Sequence, residues 1–212
     1  MPDTAPFGRG RLRRRFGLDR SAPPPPSTRK GEPFHPWTIP NFVGYFRLAL
    51  LPLFLVLAYG TDDGTSVLSA MVFWVIAAGD YLDGFLARAT GQYSRLGALL
   101  DPLIDRLTIL AGAVVCWNFE LLPRWALALL ALREVVMLFL AQYGLRHGVD
   151  IEVNWPGRIS VFPIMGGIFL ALLAPGWVAT ALLIWGLVMA ILATVLYARA
   201  GLRAVGGVKA AS

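Results

Sequence analysis

The chain has 212 residues, 57% of them hydrophobic and only 15% charged, with a mean hydropathy of +0.62. A soluble domain is about half apolar, and repeated apolar stretches of roughly 20 residues, each able to cross a hydrocarbon core of about 30 Å, account for the excess. The net charge of +6 sits beside those stretches, where membrane topology and anionic headgroups explain it, so no nucleic-acid partner is expected.

Residues 1–36 are Arg-rich (Arg9, Arg11, Arg13, Arg14, Arg15, Arg20) and then Pro-rich (Pro23 to Pro26), with no apolar period to bury. This composition predicts a disordered cytoplasmic arm. Arg13-Arg14-Arg15-Phe16 has the look of a twin-arginine export signal, but prolines follow where an apolar region belongs. Residues 34–40 form a short interfacial segment carrying Trp37, and six apolar spans follow at about 41–60, 66–87, 96–117, 123–145, 157–174 and 177–198. The lone Cys116 falls in the third span, so no intrachain disulfide exists and the thiol reads as a packing residue.

The first, third and fifth connections hold only Arg124, whereas the N-terminal arm, the second connection (Arg88, Arg95), the fourth (Arg146, Arg158) and the tail (Arg199, Arg203, Lys209) hold most other basic residues. Under the positive-inside rule both termini are cytoplasmic, which requires an even number of spans. The expected fold is therefore an all-α integral membrane bundle of six transmembrane helices over 37–198, with a cytoplasmic tail at 199–212. Asp62 and Asp63 fall in an outward loop.

Chemistry concentrates between the second and third spans. Asp80 and Asp83 are three residues apart and Asp101 and Asp105 four apart, so each pair shares one helix face. The short connection from Ala89 to about Arg95 makes the two helices antiparallel neighbours, and the four carboxylates converge near the cytoplasmic surface. An aspartate costs up to about 3 kcal/mol in mid-membrane, so four approach about 10 kcal/mol before their mutual repulsion. Something cationic belongs among them: Arg88, Arg95 and Arg106 as partial counter-charges, or a hard, oxygen-preferring dication, Mg²⁺ or Mn²⁺. No His or Cys is near enough in sequence to suggest zinc. Gly84 and Ala87 share the face of Asp80 and Asp83, and Gly97 lies a turn before Asp101. They permit close helix packing, or leave room for a flat ligand, or both.

The pattern Asp-x2-Asp-Gly-x2-Ala-Arg-x8-Gly-x3-Asp-x3-Asp, from Asp80 to Asp105, resembles the signature of the CDP-alcohol phosphatidyltransferase family (class I). The likeness extends more loosely through Ile39-Pro40-Asn41 and Arg47 and covers about residues 38–198. It implies an enzyme of phospholipid synthesis in which an acceptor alcohol attacks the lipid-bearing phosphorus of CDP-diacylglycerol and CMP leaves. By the resemblance, Asp80, Asp83 and Asp101 hold two metal ions with help from Asp105, and Asp105 is also the general base. Gly84, Ala87 and Gly97 shape the cytidine pocket, Arg88 contacts the nucleotide or phosphate, and Asn41 and Arg47 are further candidates for the same site. A homodimer in the cell membrane, with its site near the cytoplasmic face, is part of the same implication.

Arg133 and Arg158 are candidates for an acceptor phosphate, against pairing of Arg133 with Glu134 and an interfacial charge for Arg158. Arg133-Glu134 and Gly157-Arg158 resemble phosphatidylglycerophosphate synthases, although those have Gly-Lys and a Lys-Thr pattern where this chain has Gly157-Arg158-Ile159-Ser160. The stretch Ser94 to Pro102 resembles cardiolipin synthases of the same superfamily. The leading expectation is transfer to glycerol 3-phosphate, with phosphatidylglycerol or inositol phosphate as alternative acceptors. A divalent-cation transporter is the reading from another class; the absence of an internal repeat counts against it.

Overall fold

The computed structural model describes residues 34–146 and 155–211, with side chains over 34–140, 142 and 160–199. The predicted arm, apart from residues 34–36, lies outside this range. Six helices occur among the described residues: α1 (Ile39–Tyr59), α2 (Val67–Thr90), α3 (Arg95–Asn118), α4 (Arg124–Arg146), α5 (Trp155–Leu173) and α6 (Trp177–Ala211), and no strand accompanies them. Each corresponds to one predicted apolar stretch, while α6 continues as helix through residues 199–211, which were expected as a tail.

The helix starts have local causes. Thr38 caps α1, its carbonyl accepting from Phe42 N at 3.2 Å and its hydroxyl from Asn41 N at 3.4 Å. Pro40 sits in that first turn, where no intrahelical N–H is needed. Ser66 caps α2 through the amides of Leu68 and Ser69. Ser94 caps α3 by accepting from Gly97 N at 2.9 Å. Gly91 closes α2 at φ 67°, the left-handed conformation suited to a residue without Cβ. Between α1 and α2, Asp63 accepts from the Thr65 amide and hydroxyl, which hold its carboxyl below the usual carboxylate range. This is a loop acid satisfying its own turn.

Three described helices are long and apolar enough to cross a membrane, Ile39–Tyr59, Val67–Thr90 and Trp177–Arg199. Their outward residues are apolar as well. Phe42, Phe46, Leu53 and Val56 on α1, Leu68, Met71 and Trp74 on α2, and Trp185, Val188 and Leu192 on α6 are all exposed. A helix apolar all round suits lipid rather than water. The third apolar stretch, α3, carries Arg95, Asp101, Asp105 and Arg106, and its polarity is the cost of housing the carboxylates.

The chain forms two compact units, residues 34–52 with Val75–Asp105, and Leu53–Trp74 with the residues from Arg106 onward. The second has an apolar core, with Phe54 against Phe73 at 5.5 Å between ring centroids and Leu127, Leu130, Ile164, Ile168, Leu172 and Leu183 fully buried. Helices α5 and α6 approach at glycines. A Cβ on Gly167 would stand 2.8 Å from the Ala179 carbonyl oxygen, and one on Gly186 would stand 2.8 Å from Ile164 N. Small residues at the crossing let backbones approach, the usual basis of helix association in lipid. The first unit holds the predicted site.

Candidate active site

Arg47 organises the first unit. It lies midway along α1 with its side chain 1% exposed, and it reaches both other helices. Its NH1 lies 2.7 Å from Asp83 Oδ2 and 3.6 Å from Asp80 Oδ1 on α2. Its NH2 donates to Asp105 Oδ1 on α3 at 2.8 Å, and its Nε donates to the Ile76 carbonyl at 2.9 Å. The planar fork of a guanidinium suits this bridging, because its nitrogens can serve several carboxylates at once. Gly79 makes room for it: a Cβ there would sit 2.7 Å from Arg47 Cδ.

The four aspartates differ in setting. Asp83 is 3% exposed, and its second oxygen accepts from Gly84 N at 2.6 Å. Asp80 and Asp105 are 40% and 34% exposed. Asp101 has neither ion pair nor hydrogen bond among the described residues, yet it lies within electrostatic reach of Asp80, Asp83, Asp105 and Arg47. The predicted convergence of α2 and α3 carboxylates is therefore present.

The counter-charge is the surprise. Sequence proximity points to Arg88, Arg95 and Arg106 as neutralising partners. The ion pairs of Asp80, Asp83 and Asp105 run instead to Arg47, while Arg95 lies over the Phe34 ring at 4.8 Å and Arg106 Nε lies 3.9 Å from Glu134. The missed signal was in the sequence: a basic residue eight positions into an otherwise apolar span requires an acid in the packed bundle.

Asn41 is buried and its amide is used within the protein. Its Nδ2 donates to the His35 and Pro36 carbonyls at 3.0 and 3.2 Å, and its Oδ1 accepts from Ser94 Oγ at 2.8 Å. Gly97 backs onto the same clasp, since a Cβ there would stand 2.7 Å from Asn41 Oδ1. The residues 35–36 are thereby tied to the start of α3. Gly84 and Arg88 are neighbours: a Cβ on Gly84 would stand 3.4 Å from Arg88 NH1. Arg88 Nε is buried without a hydrogen-bond partner among the described residues, a donor position suited to an anionic group. Ala87 is half-buried on the same helix.

In the second unit Arg133 donates from NH1 to Glu134 and from Nε to Thr194 Oγ1 at 3.3 Å. Glu134 is 5% exposed. Arg133 thus pairs with its neighbour Glu134. Arg158 belongs to α5, and its side chain lies outside the described residues.

The donor set suits a hard dication: four carboxylates with no nitrogen or sulfur ligand, three of them already gathered on a cationic group. As the side chains stand, no group of three His, Cys, Asp or Glu among the described residues is disposed to hold a metal ion. Asp83 and Asp105 are turned toward the guanidinium instead.

An all-α membrane protein with paired aspartates facing each other across two helices defines a class. Residues 37–193 match the family described as CDP-alcohol phosphatidyltransferase, and the chain belongs to that family of phospholipid-synthesising transferases. It is 39% identical over 171 residues to the cardiolipin synthase (CMP-forming) of Streptomyces coelicolor, covering 77% of this chain and 79% of that protein. It is 33% identical over 174 residues to a Mycobacterium tuberculosis protein provisionally named cardiolipin synthase, covering 76% of this chain and 81% of that one. Against the CDP-diacylglycerol–glycerol-3-phosphate 3-phosphatidyltransferase of Salmonella typhimurium it is 31% over 129 residues, 58% of this chain and 70% of that protein.

Proposed function

We propose that the protein transfers a phosphatidyl group from CDP-diacylglycerol to phosphatidylglycerol, releasing CMP. The observation that carries the transfer chemistry is the gathering of Asp80, Asp83 and Asp105 on one cationic group with Asp101 beside them. Two Mg²⁺ or Mn²⁺ ions held by Asp80, Asp83, Asp101 and Asp105 would neutralise the pyrophosphate and the departing CMP. In the reaction the acceptor oxygen forms a bond to the lipid-bearing phosphorus, the bond from that phosphorus to the CMP oxygen breaks, and Asp105 takes the hydroxyl proton. Its 34% exposure leaves it reachable by an acceptor. The unpartnered Arg88 Nε supplies a donor to the nucleotide phosphates, and Gly84 and Ala87 leave space beside it.

For the acceptor, support comes from the likeness to the Streptomyces cardiolipin synthase over most of both chains. The ties of Arg133 to Glu134 and Thr194 point the same way, because they reduce its charge available to a phosphate dianion. The second reading, glycerol 3-phosphate, is favoured by the Salmonella relative and by Gly157-Arg158. The six helices cross the membrane with both termini in the cytoplasm, which puts the α2–α3 connection and the carboxylates at the cytoplasmic face, and the protein works as a homodimer. The deciding experiment supplies purified protein with CDP-diacylglycerol, Mg²⁺ or Mn²⁺, and either phosphatidylglycerol or glycerol 3-phosphate, and follows CMP. Release with phosphatidylglycerol alone is expected. Release with glycerol 3-phosphate alone would establish the second reading, and release with neither would refute both.

A further inference from the structure

We propose that Arg47 is the resident cation of the carboxylate cluster, holding Asp83 and Asp105 until a divalent cation takes over their oxygens. The inference rests on the reading of the cluster as a divalent-cation site. Its own basis is the geometry of one side chain. Arg47 is 1% exposed, so its charge has no water to stabilise it and must be matched by acids. Both matching contacts are short, 2.7 Å to Asp83 Oδ2 and 2.8 Å to Asp105 Oδ1, and each uses a different terminal nitrogen. The stem is fixed independently of the acids, by Nε on the Ile76 carbonyl and by the cleft that Gly79 leaves.

A ligand oxygen of Mg²⁺ sits at about 2.0–2.1 Å from the ion. An oxygen that already accepts a guanidinium N–H at 2.7 or 2.8 Å must turn or share to reach that position. Guanidinium and dication therefore compete for the same lone pairs, and each suppresses the repulsion among the four carboxylates. Arg47 makes the cluster tolerable without a metal ion, and it makes metal binding an exchange of cations rather than the filling of a bare acidic hole. Asp101, which Arg47 does not bond, is the carboxylate free to make the first contact with an incoming ion.

The test is thermal unfolding of the detergent-purified protein in EDTA and in Mn²⁺, for wild type, Arg47→Gln and Arg47→Gln with Asp83→Asn. In EDTA, Arg47→Gln is expected to melt roughly 5–10 °C below wild type, as removal of one partner of a buried ion pair does. Mn²⁺ should close most of that gap, raising Arg47→Gln well beyond its effect on wild type. Asp83→Asn should also recover part of the loss in EDTA, since it removes the charge left unmatched. A purely structural arginine would show the Asp83→Asn rescue but not the Mn²⁺ rescue. Equal Mn²⁺ shifts in wild type and Arg47→Gln would overturn the exchange while leaving the divalent-cation reading intact. No Mn²⁺ shift in either protein, with Asp83→Asn still rescuing, would overturn both. Should Arg47→Gln not purify, Arg47→Lys answers the same question: its gap to wild type in EDTA should narrow in Mn²⁺, and a gap that stays open would overturn the proposal.

Discussion

Replacing Asp105 with asparagine separates the proton-accepting role of this side chain from its role in packing. Asp105 Oδ1 accepts a 2.8 Å hydrogen bond from Arg47 NH2, and an asparagine oxygen can accept the same bond with little change in shape. The lost quantity is one negative charge on a side chain 34% exposed, and Asp80 and Asp83 remain to match the Arg47 guanidinium. Stability should therefore fall by only about 1 kcal/mol. Catalysis should fall much further, because an amide cannot take the hydroxyl proton. Loss of a positioned base is worth roughly 10²- to 10⁴-fold, equivalent to about 3–5 kcal/mol of barrier. Three measurements separate the effects: melting temperature in detergent, equilibrium binding of CDP-diacylglycerol, and CMP release as a function of Mn²⁺ concentration. The expected result is a near-normal melting temperature, retained CDP-lipid binding, and turnover that saturating Mn²⁺ does not restore. Activity within about tenfold of wild type would refute the base assignment, and recovery at high Mn²⁺ would reassign Asp105 as a ligand alone.

Other substitutions probe the supporting contacts. Glu134→Gln leaves the Arg133 guanidinium without its buried carboxylate and should cost about 3 kcal/mol, read as a lower melting temperature; an unchanged melting temperature would mean the pair carries no net stability. Asn41→Ala removes three internal hydrogen bonds and should destabilise by about 2 kcal/mol, while CDP-lipid affinity of the folded protein stays within about twofold; a large affinity loss at unchanged stability would make Asn41 a nucleotide contact. Gly167→Val drives a side chain into the Ala179 carbonyl and Leu183 backbone and should lower stability by about 2 kcal/mol or more, with Gly166→Val, whose Cβ position meets only a Leu182 methyl at 3.9 Å, as the mild control.

The six helices and the two aspartate pairs were legible in the sequence because both depend on local periodicity. A stretch of apolar residues of bilayer length becomes a helix whatever its neighbours are, and residues three or four apart share a face by helix geometry alone. The caps at Thr38, Ser66 and Ser94 are similarly short-range. That Arg47 needs an acid was legible from its place inside an apolar span, but which acids it meets was not, since it lies 36 residues from Asp83 and 58 from Asp105, and sequence proximity favours Arg88, Arg95 and Arg106. The same holds for Asn41, whose amide is satisfied by Ser94 53 residues away as well as by two nearby carbonyls. Composition and spacing by themselves determined an all-helical membrane protein with acids on two facing helices, because hydrophobic length and helical period are properties of contiguous residues. Only the tertiary structure decided that the cation among those acids comes from α1, because a buried charge takes its partner from whichever helix packs within reach.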